Sequence, residues 1–528
     1  MIRDLSQAAP PGVEEQAPVC IIGAGTAGIF LAQRLRRLGL RVVLLEAGDA
    51  VSRRPAEMAQ TCVQRGLQYR GADLGRSFGL GGTSVLWGGQ MIPLVPSDFG
   101  ARPAVGIDAW PLDYGDLAAY LPQVKASLGL PAGGEAAEAA LGEARFPALS
   151  AFDADFRLRL SEWLPFATRN FAKAFADPLE RDAGLVVWLN AGVVELALDP
   201  QGTGRIVSVV AQSANGRSLT VRPERVVVCA GALESTRLML ALDESMGGQL
   251  SAGGAPLGRY FSDHLSVTCG HFASADLRRY NHATAPIFVG GVMRTPRLEL
   301  SSAAQERLAV TSAFLQLIFV THGDTGFDVV RNLLRRRQGE QQGLGLSAGR
   351  LGRVVHDVAA MAYWRGVHRR LWIPRTADLL LQVDIEQVPN WNSRLCLSEE
   401  RDDLGRKRLE IDWEIAPEDV RVVQTVAQRT VQAWDASGLR GLARLELTLP
   451  SQFDDFASFY DVYHPTGTLR MGAAPGGSVV DRNLRVWGLQ NLFISSTAVF
   501  PSSGSANPGL MHLALSARLA EHLAKATP

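Results

Sequence analysis

Three glycines, Gly23, Gly25 and Gly28, have GxGxxG spacing between an apolar run at residues 19–22 and a segment with helical periodicity at residues 29–38. The apolar run is typical of a buried parallel strand. At such a turn, Gly23 permits the sharp bend, Gly25 lets a pyrophosphate approach the backbone, and Gly28 lets helix and strand pack closely. The first N–H groups of the helix then favour phosphate. The pattern predicts a dinucleotide site, with a glycine-rich turn lacking a ligand as the alternative.

An acidic residue, Glu46, ends the second apolar strand of this unit at residues 41–45. A carboxylate at this place can accept hydrogen bonds from both hydroxyls of an adenosine ribose. It would also repel a 2′-phosphate, which argues against NADP. The unit alone does not decide between FAD and NAD.

A second glycine cluster at residues 79–89 combines small residues, hydroxyl groups and one large aromatic side chain, Trp87. Such a loop can press its backbone against a planar ring and donate N–H groups to ring acceptors, as an isoalloxazine requires. Arg76 and Trp87 flank the loop and are expected to line the cofactor. A flexible surface loop is the alternative.

Five motifs occur in the order found in the glucose–methanol–choline (GMC) oxidoreductases, which the chain resembles nearly from end to end. After the GxGxxG unit, the segment Gly81–Gly89 resembles the family's GGxSxxxxG loop beside the flavin. Residues 226–235 resemble its strand followed by AGA(I/L)xS, and residues 257–264 resemble its (V/L)GxxLxDH stretch, with Phe261 in the Leu position. Residues 463–472 and 506–508 resemble its HxxGTxxMG and NP motifs.

The resemblance implies an FAD enzyme that passes a hydride from a carbinol carbon to flavin N5. It places His464 over the flavin as the base, and a neutral imidazole suits proton removal near neutral pH. Asn507, at the amino end of the last helix, is expected to donate its amide to the developing alkoxide. Without this context, His464 would be interpreted as a histidine bonded to a backbone carbonyl in a turn, and Asn507 as a helix cap.

Contacts with FAD are expected along all the motifs, and the resemblance implies that the backbone at Val193 or Val194 meets the adenine. The predicted cofactor-binding residues are Gly23, Gly25, Thr26, Ala27, Gly28, Glu46, Ala47, Arg76, Gly81, Gly82, Thr83, Ser84, Leu86, Trp87, Val193, Val194, Ala230, Gly231, Ser235, Ser496, Asn507 and Pro508. Ser496 begins a segment where many members carry an Asp, so a contact there is expected to be weaker. The glycine loop lacks the histidine of members with covalently attached FAD, which predicts non-covalent FAD.

The order of the motifs predicts an α/β fold with two domains. A Rossmann-like FAD-binding domain is expected to be assembled from discontinuous segments, and an α+β substrate-binding domain, a sheet with helices, is expected to cover the flavin. The predicted FAD-binding segments are 17–100, 185–262 and 462–528, and the predicted substrate-binding segments are 101–184 and 263–461. Residues 1–16 predict a flexible tail. The apolar runs 185–189 and 193–196 predict two paired strands.

Composition excludes several classes of protein. Lys+Arg and Asp+Glu are 53 each among 528 residues, so no overall field favours nucleic acid. Five dispersed cysteines, without metal-ligand spacing, predict reduced thiols and no metal site. There is neither a signal-peptide core nor an apolar run long enough to span a bilayer, which predicts a soluble, cytoplasmic protein.

A basic segment at about residues 331–371 contains nine arginines against Glu340 and Asp357, with apolar and aromatic residues between them. Such a segment can lie on an anionic membrane surface, bind a partner protein, or hold an acidic substrate. The alternative is a solvated insertion that acts as a lid and excludes water from the flavin.

Three functions follow as alternatives. The first is oxidation of a sugar, glycoside or polyol hydroxyl, because the Trp87 loop and Asn507 look most like those of carbohydrate-oxidising members. The second is the same chemistry on an apolar or sterol-like alcohol. The third is a flavoprotein of lyase or light-driven type, against which His464 and Asn507 argue. O2, a quinone and a redox protein stay open as electron acceptors.

Four further polar residues are weaker candidates. Asp263 and His264 are predicted to be structural, and His512 is predicted to pack in the core. Glu386 precedes a turn and is predicted to be a solvated surface residue, with a substrate contact as the alternative.

Overall fold

The computed structural model describes residues 1–9, 12–273, 276–323, 325–339, 351–449, 456 and 458–525. Its strands are β1 (Ile2–Asp4), β2 (Gly12–Ile22), β3 (Val42–Leu45), β4 (Val63–Gly66), β5 (Gln90–Met91), β6 (Phe156–Trp163), β7 (Leu185–Leu189), β8 (Gly192–Leu198), β9 (Ile206–Gln212), β10 (Ser218–Val228), β11 (His264–Ala273), β12 (Ile287–Val289), β13 (Val292–Leu300), β14 (Ala313–Val320), β15 (Asp378–Glu386), β16 (Arg394–Arg401), β17 (Lys407–Trp413), β18 (Arg444–Leu447), β19 (Phe459–Asp461) and β20 (Leu492–Ile494).

The α-helices alternate with these strands. They are α1 (Thr26–Arg37), α2 (Gly71–Leu74), α3 (Tyr114–Ala118), α4 (Leu121–Ser127), α5 (Glu135–Arg145), α6 (Pro147–Ser150), α7 (Phe166–Arg169), α8 (Phe171–Ala174), α9 (Ala176–Arg181), α10 (Gly231–Ser245), α11 (Leu277–Thr284), α12 (Ser302–Leu308), α13 (Gly326–Gln338), α14 (Leu351–Tyr363), α15 (Pro417–Ala436) and α16 (Gly509–Lys525). One π-helical turn, Trp364–His368, continues α14.

The first sheet is built around parallel strands in the order β1-β7-β3-β2-β10, with β20 also beside β10. The strands β9 and β8 extend it in antiparallel fashion. The apolar ends of β2 and all of β3 are buried, as expected for parallel strands with helices over both faces. The helices α1 and α16 pack against each other over this sheet. This arrangement confirms the predicted α/β class.

The amino-terminal residues correct the prediction of a flexible tail at 1–16. The strand β1 pairs in parallel with β7, and the Met1 ammonium donates to the carbonyls of Leu179 and Leu185 at 2.9 and 2.8 Å. Leu5 is fully buried. Further on, β2 begins at Gly12, so the tail is part of the sheet. The prediction failed because the partner strand comes from far along the chain, and local composition does not reveal such a pairing.

The strands β7 and β8 are not paired with each other, contrary to the prediction for runs 185–189 and 193–196. Instead, β7 lies between β3 and β1, whereas the partner of β8 among the described strands is β9, at the opposite end of the sheet. Both runs are apolar enough for a sheet interior, and apolar pattern alone does not specify the neighbour.

The second sheet has nine strands in the order β18-β11-β15-β14-β13-β6-β5, with β12 beside β13 and β19 beside β11. All its pairings are antiparallel, and α15 packs against β15 and β18. Its strand β5 comes from the predicted FAD segment 17–100. A third sheet, β16-β17-β4, also joins strands from both predicted domains. The domain boundaries therefore stay predictions.

Within the part of the chain that the structure describes, no helix combines the length and apolar character needed to cross a membrane.

Candidate active site

The GxGxxG turn lies where β2 meets α1, at the carboxyl edge of the first sheet. A Cβ added at Gly28 would lie 1.9 Å from the carbonyl oxygen of Gly23, so only glycine allows this helix to pack so close to the turn. Gly25 caps the helix, and a Cβ there would meet nothing nearer than 3.9 Å. The start of α1 is therefore both close to the sheet and open to an approaching ligand.

The Glu46 carboxylate is buried and holds three turns together. It accepts backbone N–H groups of Ala24, Gly48 and Gly79 at 2.9, 3.0 and 2.9 Å. Burial raises the pKa of this carboxyl, and the backbone donors act in the opposite direction. Besides its predicted contact with ribose, Glu46 thus ties the second glycine loop to the first sheet.

The second glycine loop, residues 79–89, is packed against the first one, unlike a flexible surface loop. A Cβ added at Gly82, whose φ is 51°, would lie 2.8 Å from the Cα of Gly25. The Trp87 indole donates to the carbonyl of Arg169 at 2.8 Å, and the Ser84 hydroxyl accepts the N–H of Phe171 at 3.0 Å. The loop is therefore bonded to α7 and α8 and packed against the first glycine turn.

The two glycine loops open onto one cavity of about 720 Å³. Among the predicted cofactor-binding residues, those that line it are Gly23, Gly25, Thr26, Ala27, Glu46, Ala47, Arg76, Gly82, Thr83, Leu86, Trp87, Val193, Ala230, Gly231, Asn507 and Pro508. The predicted residues Gly28, Gly81, Ser84, Val194, Ser235 and Ser496 are not part of its lining. Several of these six support it; for example, Gly81 donates to the carbonyl of Ala24, and Ser496 accepts the N–H of Ala498.

The shape and polarity of the cavity fit a dinucleotide. Its open glycine turn faces the amino end of α1, where free N–H groups favour a pyrophosphate. His512, predicted to pack in the core, also reaches the lining, and its Nε2 is buried without a hydrogen-bond partner among the described residues. Burial lowers the pKa of His512 to about 4. A ligand with polar ring atoms would satisfy this group.

His464 and Asn507 meet at the other end of the same cavity, 3.3 Å apart between His464 Nε2 and Asn507 Nδ2. His264, which was predicted to be only structural, is the third member: its Nδ1 lies 3.0 Å from His464 Nδ1. Burial lowers the pKa of His264, and it lowers that of His464 well below the ordinary value. Both imidazoles are therefore neutral near neutral pH.

The hydrogen bonds determine which ring nitrogen of His464 is unprotonated. His264 Nε2 lies 2.6 Å from the carbonyl oxygen of Gly504, which can only accept, so this nitrogen carries the proton. In neutral His264, Nδ1 is then an acceptor, so it accepts a hydrogen bond from the N–H at Nδ1 of His464. The remaining nitrogen of His464, Nε2, is therefore unprotonated, and its lone pair is directed toward the Asn507 amide at the cavity.

Arg297 fixes the orientation of the Asn507 amide. Its Nη1 donates to Asn507 Oδ1 at 3.2 Å, so Nδ2 is the group that faces His464. Its Nη2 donates to Gln90 Oε1 at 2.7 Å. Burial lowers the pKa of this guanidinium, and no carboxylate oxygen of the described residues lies within ion-pair distance of it. A buried positive charge thus lies beside Asn507 in the lining of the cavity.

Asp263 braces the backbone beneath the two histidines, as its predicted structural role requires. Both its oxygens accept the N–H of His464 at 2.9 Å, and it also accepts the Tyr69 hydroxyl at 2.6 Å. Burial, assisted by Asp461, raises the pKa of Asp263 to about 8. Its contacts are with protein groups, and it is not part of the cavity lining.

Glu386 is buried, so its predicted assignment as a solvated surface residue is wrong. It forms an ion pair with Arg102, with an N–O distance of 2.5 Å, and accepts the N–H groups of Ser503 and Gly504 at 2.9 and 2.8 Å. These bonds fix the backbone at Gly504, whose carbonyl oxygen accepts a hydrogen bond from His264 Nε2. Because Arg102 is far away in the chain, nothing in the residues around Glu386 indicates this burial.

A polar wall, formed by Gln316, Gln382 and Asp384, lines the cavity on the second sheet. Gln316 and Gln382 are cross-strand partners on β14 and β15, and Asp384 follows on the same face of β15. Asp384 accepts the Ser266 hydroxyl and the Gln382 amide at 2.5 and 2.7 Å, and Gln316 also donates to it. Several polar atoms on this wall can still bind hydroxyl groups.

Two family models match the chain: GMC oxidoreductase over residues 389–516, and Lycopene cyclase protein over residues 18–70. Paromamine 6′-oxidase of Streptomyces fradiae is 26% identical over 96% of this chain and 91% of its own length. The fructose dehydrogenase large subunit of Gluconobacter japonicus is 23% identical over 96% of this chain and 97% of its own length.

Solved structures share the fold. Pyridoxine 4-oxidase from Mesorbium loti superposes with a TM-score of 0.58 at 18% identity, over 96% of this chain and 99% of its own. A formate oxidase of Aspergillus oryzae, whose structure concerns FAD modification, gives a TM-score of 0.57 at 14% identity, over 96% of this chain and 98% of its own.

Proposed function

Because the chain belongs to the GMC oxidoreductases and is an FAD-dependent alcohol oxidoreductase, we propose that it oxidises a sugar, glycoside or polyol hydroxyl to a carbonyl, with His464 as base. One observation carries this proposal: the bare Nε2 of His464 lies 3.3 Å from the amide nitrogen of Asn507, inside the cavity lined by the glycine loops. An alcohol oxygen within hydrogen-bond distance of both nitrogens would meet an acceptor for its proton in His464 and a donor to its developing negative charge in Asn507.

The cavity residues suggest how FAD is held. The start of α1, from Gly25 to Ala27, would bind the pyrophosphate, and Glu46 would bind the ribose. The loop from Gly82 to Trp87 would lie against the isoalloxazine, and Val193 would lie near the adenine. When bound, FAD accepts the hydride at N5 and passes the electrons on to the acceptor.

His464 and Asn507 divide the chemistry at the hydroxyl. His464 Nε2 takes the hydroxyl proton, while the hydride leaves from the carbinol carbon, so the substrate loses two electrons and two hydrogens in all. Asn507 Nδ2 donates to the oxygen as negative charge develops on it. Arg297 keeps Oδ1 of Asn507 turned away from the substrate and adds positive charge.

The polar wall supports a polyhydroxylated substrate over an apolar one. Sugar hydroxyls could hydrogen-bond to Gln316, Gln382 and Asp384, whereas an apolar alcohol would cover these polar side chains without offering hydrogen bonds. The names of the two relatives, for paromamine and for the sugar fructose, agree with this choice. No feature of the site favours lyase or light-driven chemistry.

Turnover with an artificial electron acceptor tests the substrate class. We expect activity with members of a panel of sugars, glycosides and polyols and none with sterols or long-chain alcohols. Gln382→Leu should raise KM for the active sugar, whereas Gln201→Leu, at an exposed turn, should leave it unchanged. Preference for the apolar alcohols, or an unchanged KM in Gln382→Leu, would contradict the proposed substrate class. Parallel assays with O2, a quinone and a redox protein identify the acceptor.

A further inference from the structure

The outer face of α14 is apolar and exposed. Val355, Val358 and Tyr363 are 62%, 41% and 54% exposed, and Val367 in the following π-turn is also exposed. Together with Leu333 on α13, these are five of the thirteen large hydrophobic side chains exposed in the part of the chain that the structure describes. Such a concentration within one short stretch indicates a surface that is normally covered.

These side chains form a stripe along the helix. Val355, Val358, exposed Ala359, exposed Ala362 and Tyr363 stand at positions i, i+3, i+4, i+7 and i+8, so they share one face of the helix. The opposite face packs against α13, where buried Asp357 accepts the N–H of Gly326 at 2.8 Å. The apolar stripe therefore lies on the solvent side of α14, because the opposite side of this helix packs against α13.

Positive charge predominates on the surface of this stretch, as far as the described residues show. The acidic residues in the described parts of α13, α14 and the π-turn are Asp328 and Asp357, both buried. Exposed arginines in the same stretch, which ends just beyond the π-turn, include Arg337, Arg365 and Arg369. A convex apolar stripe bordered by arginines is the pattern of a helix that lies in a membrane interface.

We propose that the outer face of α14 binds the surface of an anionic lipid bilayer, with the helix axis parallel to the membrane. The apolar stripe would enter the boundary between headgroups and acyl chains, Tyr363 would lie at headgroup depth, and the arginines would contact lipid phosphates. A second copy of the chain fits less well, because a two-fold contact across this face would bring the same arginines of the two copies together.

The helix pair α13–α14, which carries the proposed lipid-binding stripe on α14, is fixed to the active site. The Gln338 amide at the end of α13 donates to the carbonyls of Ser84 and Trp87 at 3.1 and 2.9 Å, and Arg335 lines the cavity. Membrane binding would therefore place the glycine loop near the bilayer. The proposal does not depend on which alcohol is oxidised.

Flotation of the purified holoenzyme with lipid vesicles tests this proposal. We expect the protein to float with vesicles of phosphatidylcholine and phosphatidylglycerol at low salt, and much less with phosphatidylcholine alone. Val355→Glu and Val358→Glu should each abolish flotation while dye-linked turnover of soluble substrate is kept. Leu38→Glu, an equally exposed apolar position outside this face, should float as the wild type does.

Arginine variants separate charge from apolar insertion. Arg365→Gln and Arg369→Gln should each weaken binding to the anionic vesicles about fivefold, and added salt should weaken it further. Three results would overturn the proposal: no flotation of the wild type, flotation of Val358→Glu equal to that of the wild type, or a concentration-dependent dimer that Val358→Glu dissociates.

Discussion

The base at position 464 depends on a series of hydrogen bonds that begins far from it in the chain. Arg102 forms an ion pair with Glu386, and Glu386 accepts the N–H of Gly504. The carbonyl of Gly504 accepts from His264 Nε2, which leaves His264 Nδ1 as the acceptor for His464 Nδ1. His464 Nε2 is therefore unprotonated. Since each donor in the series has one acceptor, only one tautomer of His464 satisfies all of them.

The depressed pKa of His464 predicts an unusual pH dependence. Burial, His264 and Arg297 all favour the neutral imidazole, so the base stays unprotonated below its ordinary value of 6.5. The rate constant for flavin reduction by substrate should therefore stay level from neutral pH to below 6.5 and fall only at more acidic pH. Stopped-flow measurements across this range test it, and a fall that begins at or above pH 6.5 would contradict it.

Arg297 should be a positioning residue that lysine cannot replace. Arg297→Gln removes the charge beside the substrate oxygen and should slow flavin reduction about 10²-fold, because loss of one such electrostatic contact has this effect in other enzymes. Arg297→Lys keeps the charge but cannot bridge Asn507 and Gln90, so its rate should fall too. If Arg297→Lys reduces its flavin at the wild-type rate, the amide of Asn507 does not depend on this bridge.

Motifs identified His464 and Asn507 from sequence, whereas Arg297 had no such signal. It lies on β13 together with Arg294, and only the pairing of β13 with β14 and β6 decides which arginine points into the cavity. The same holds for Glu386, whose burial depends on Arg102. Residues brought together by sheet pairing cannot be found from local spacing alone.

Among the elements, the unit from β2 through α1 to β3 could be predicted because apolar runs, glycine spacing and helical periodicity are all local. The docking of β1 could not, since its partner β7 is distant in sequence. A three-residue strand also carries too little pattern of its own to be recognised.

The docked amino terminus should contribute measurably to stability. Leu5 is fully buried beside β1, so Leu5→Ala should lower the free energy of unfolding by about 2–5 kcal/mol, as for other buried leucines. Ile2→Ala, at an exposed side chain on the same strand, should cost much less. Urea unfolding of the two variants measures the difference, and equal stability of Leu5→Ala and the wild type would mean that the tail does not dock.

At the scale of the molecule, both large sheets and the loops that follow their strands contribute residues to the cavity. The glycine loops and the start of α1 belong to one side, and Gln316, Gln382 and Arg297 belong to the other. His464 and Asn507 come from late segments that reach this junction. The order of motifs was enough to predict an α/β fold, but the way in which strands β4 and β5 join sheets across the predicted boundary depends on the complete chain.

The protein should release its flavin when it is denatured. The loop at residues 85–87 has no nucleophilic side chain suited to a covalent bond with the ring, and contacts with the cavity wall would end when the fold is lost. Precipitation with acid should leave the flavin absorbance in the supernatant. A yellow pellet would show a covalent bond and would contradict the prediction of dissociable FAD.

Anaerobic reduction of the flavin by the substrate tests the central claim, that His464 is the base for alcohol oxidation. The wild type and His271→Ala, a variant at an exposed histidine on the second sheet, should both bleach on addition of the active sugar. His464→Ala should bind FAD yet bleach about 10²–10⁴ times more slowly. Bleaching of His464→Ala at the wild-type rate would contradict the assignment of the base.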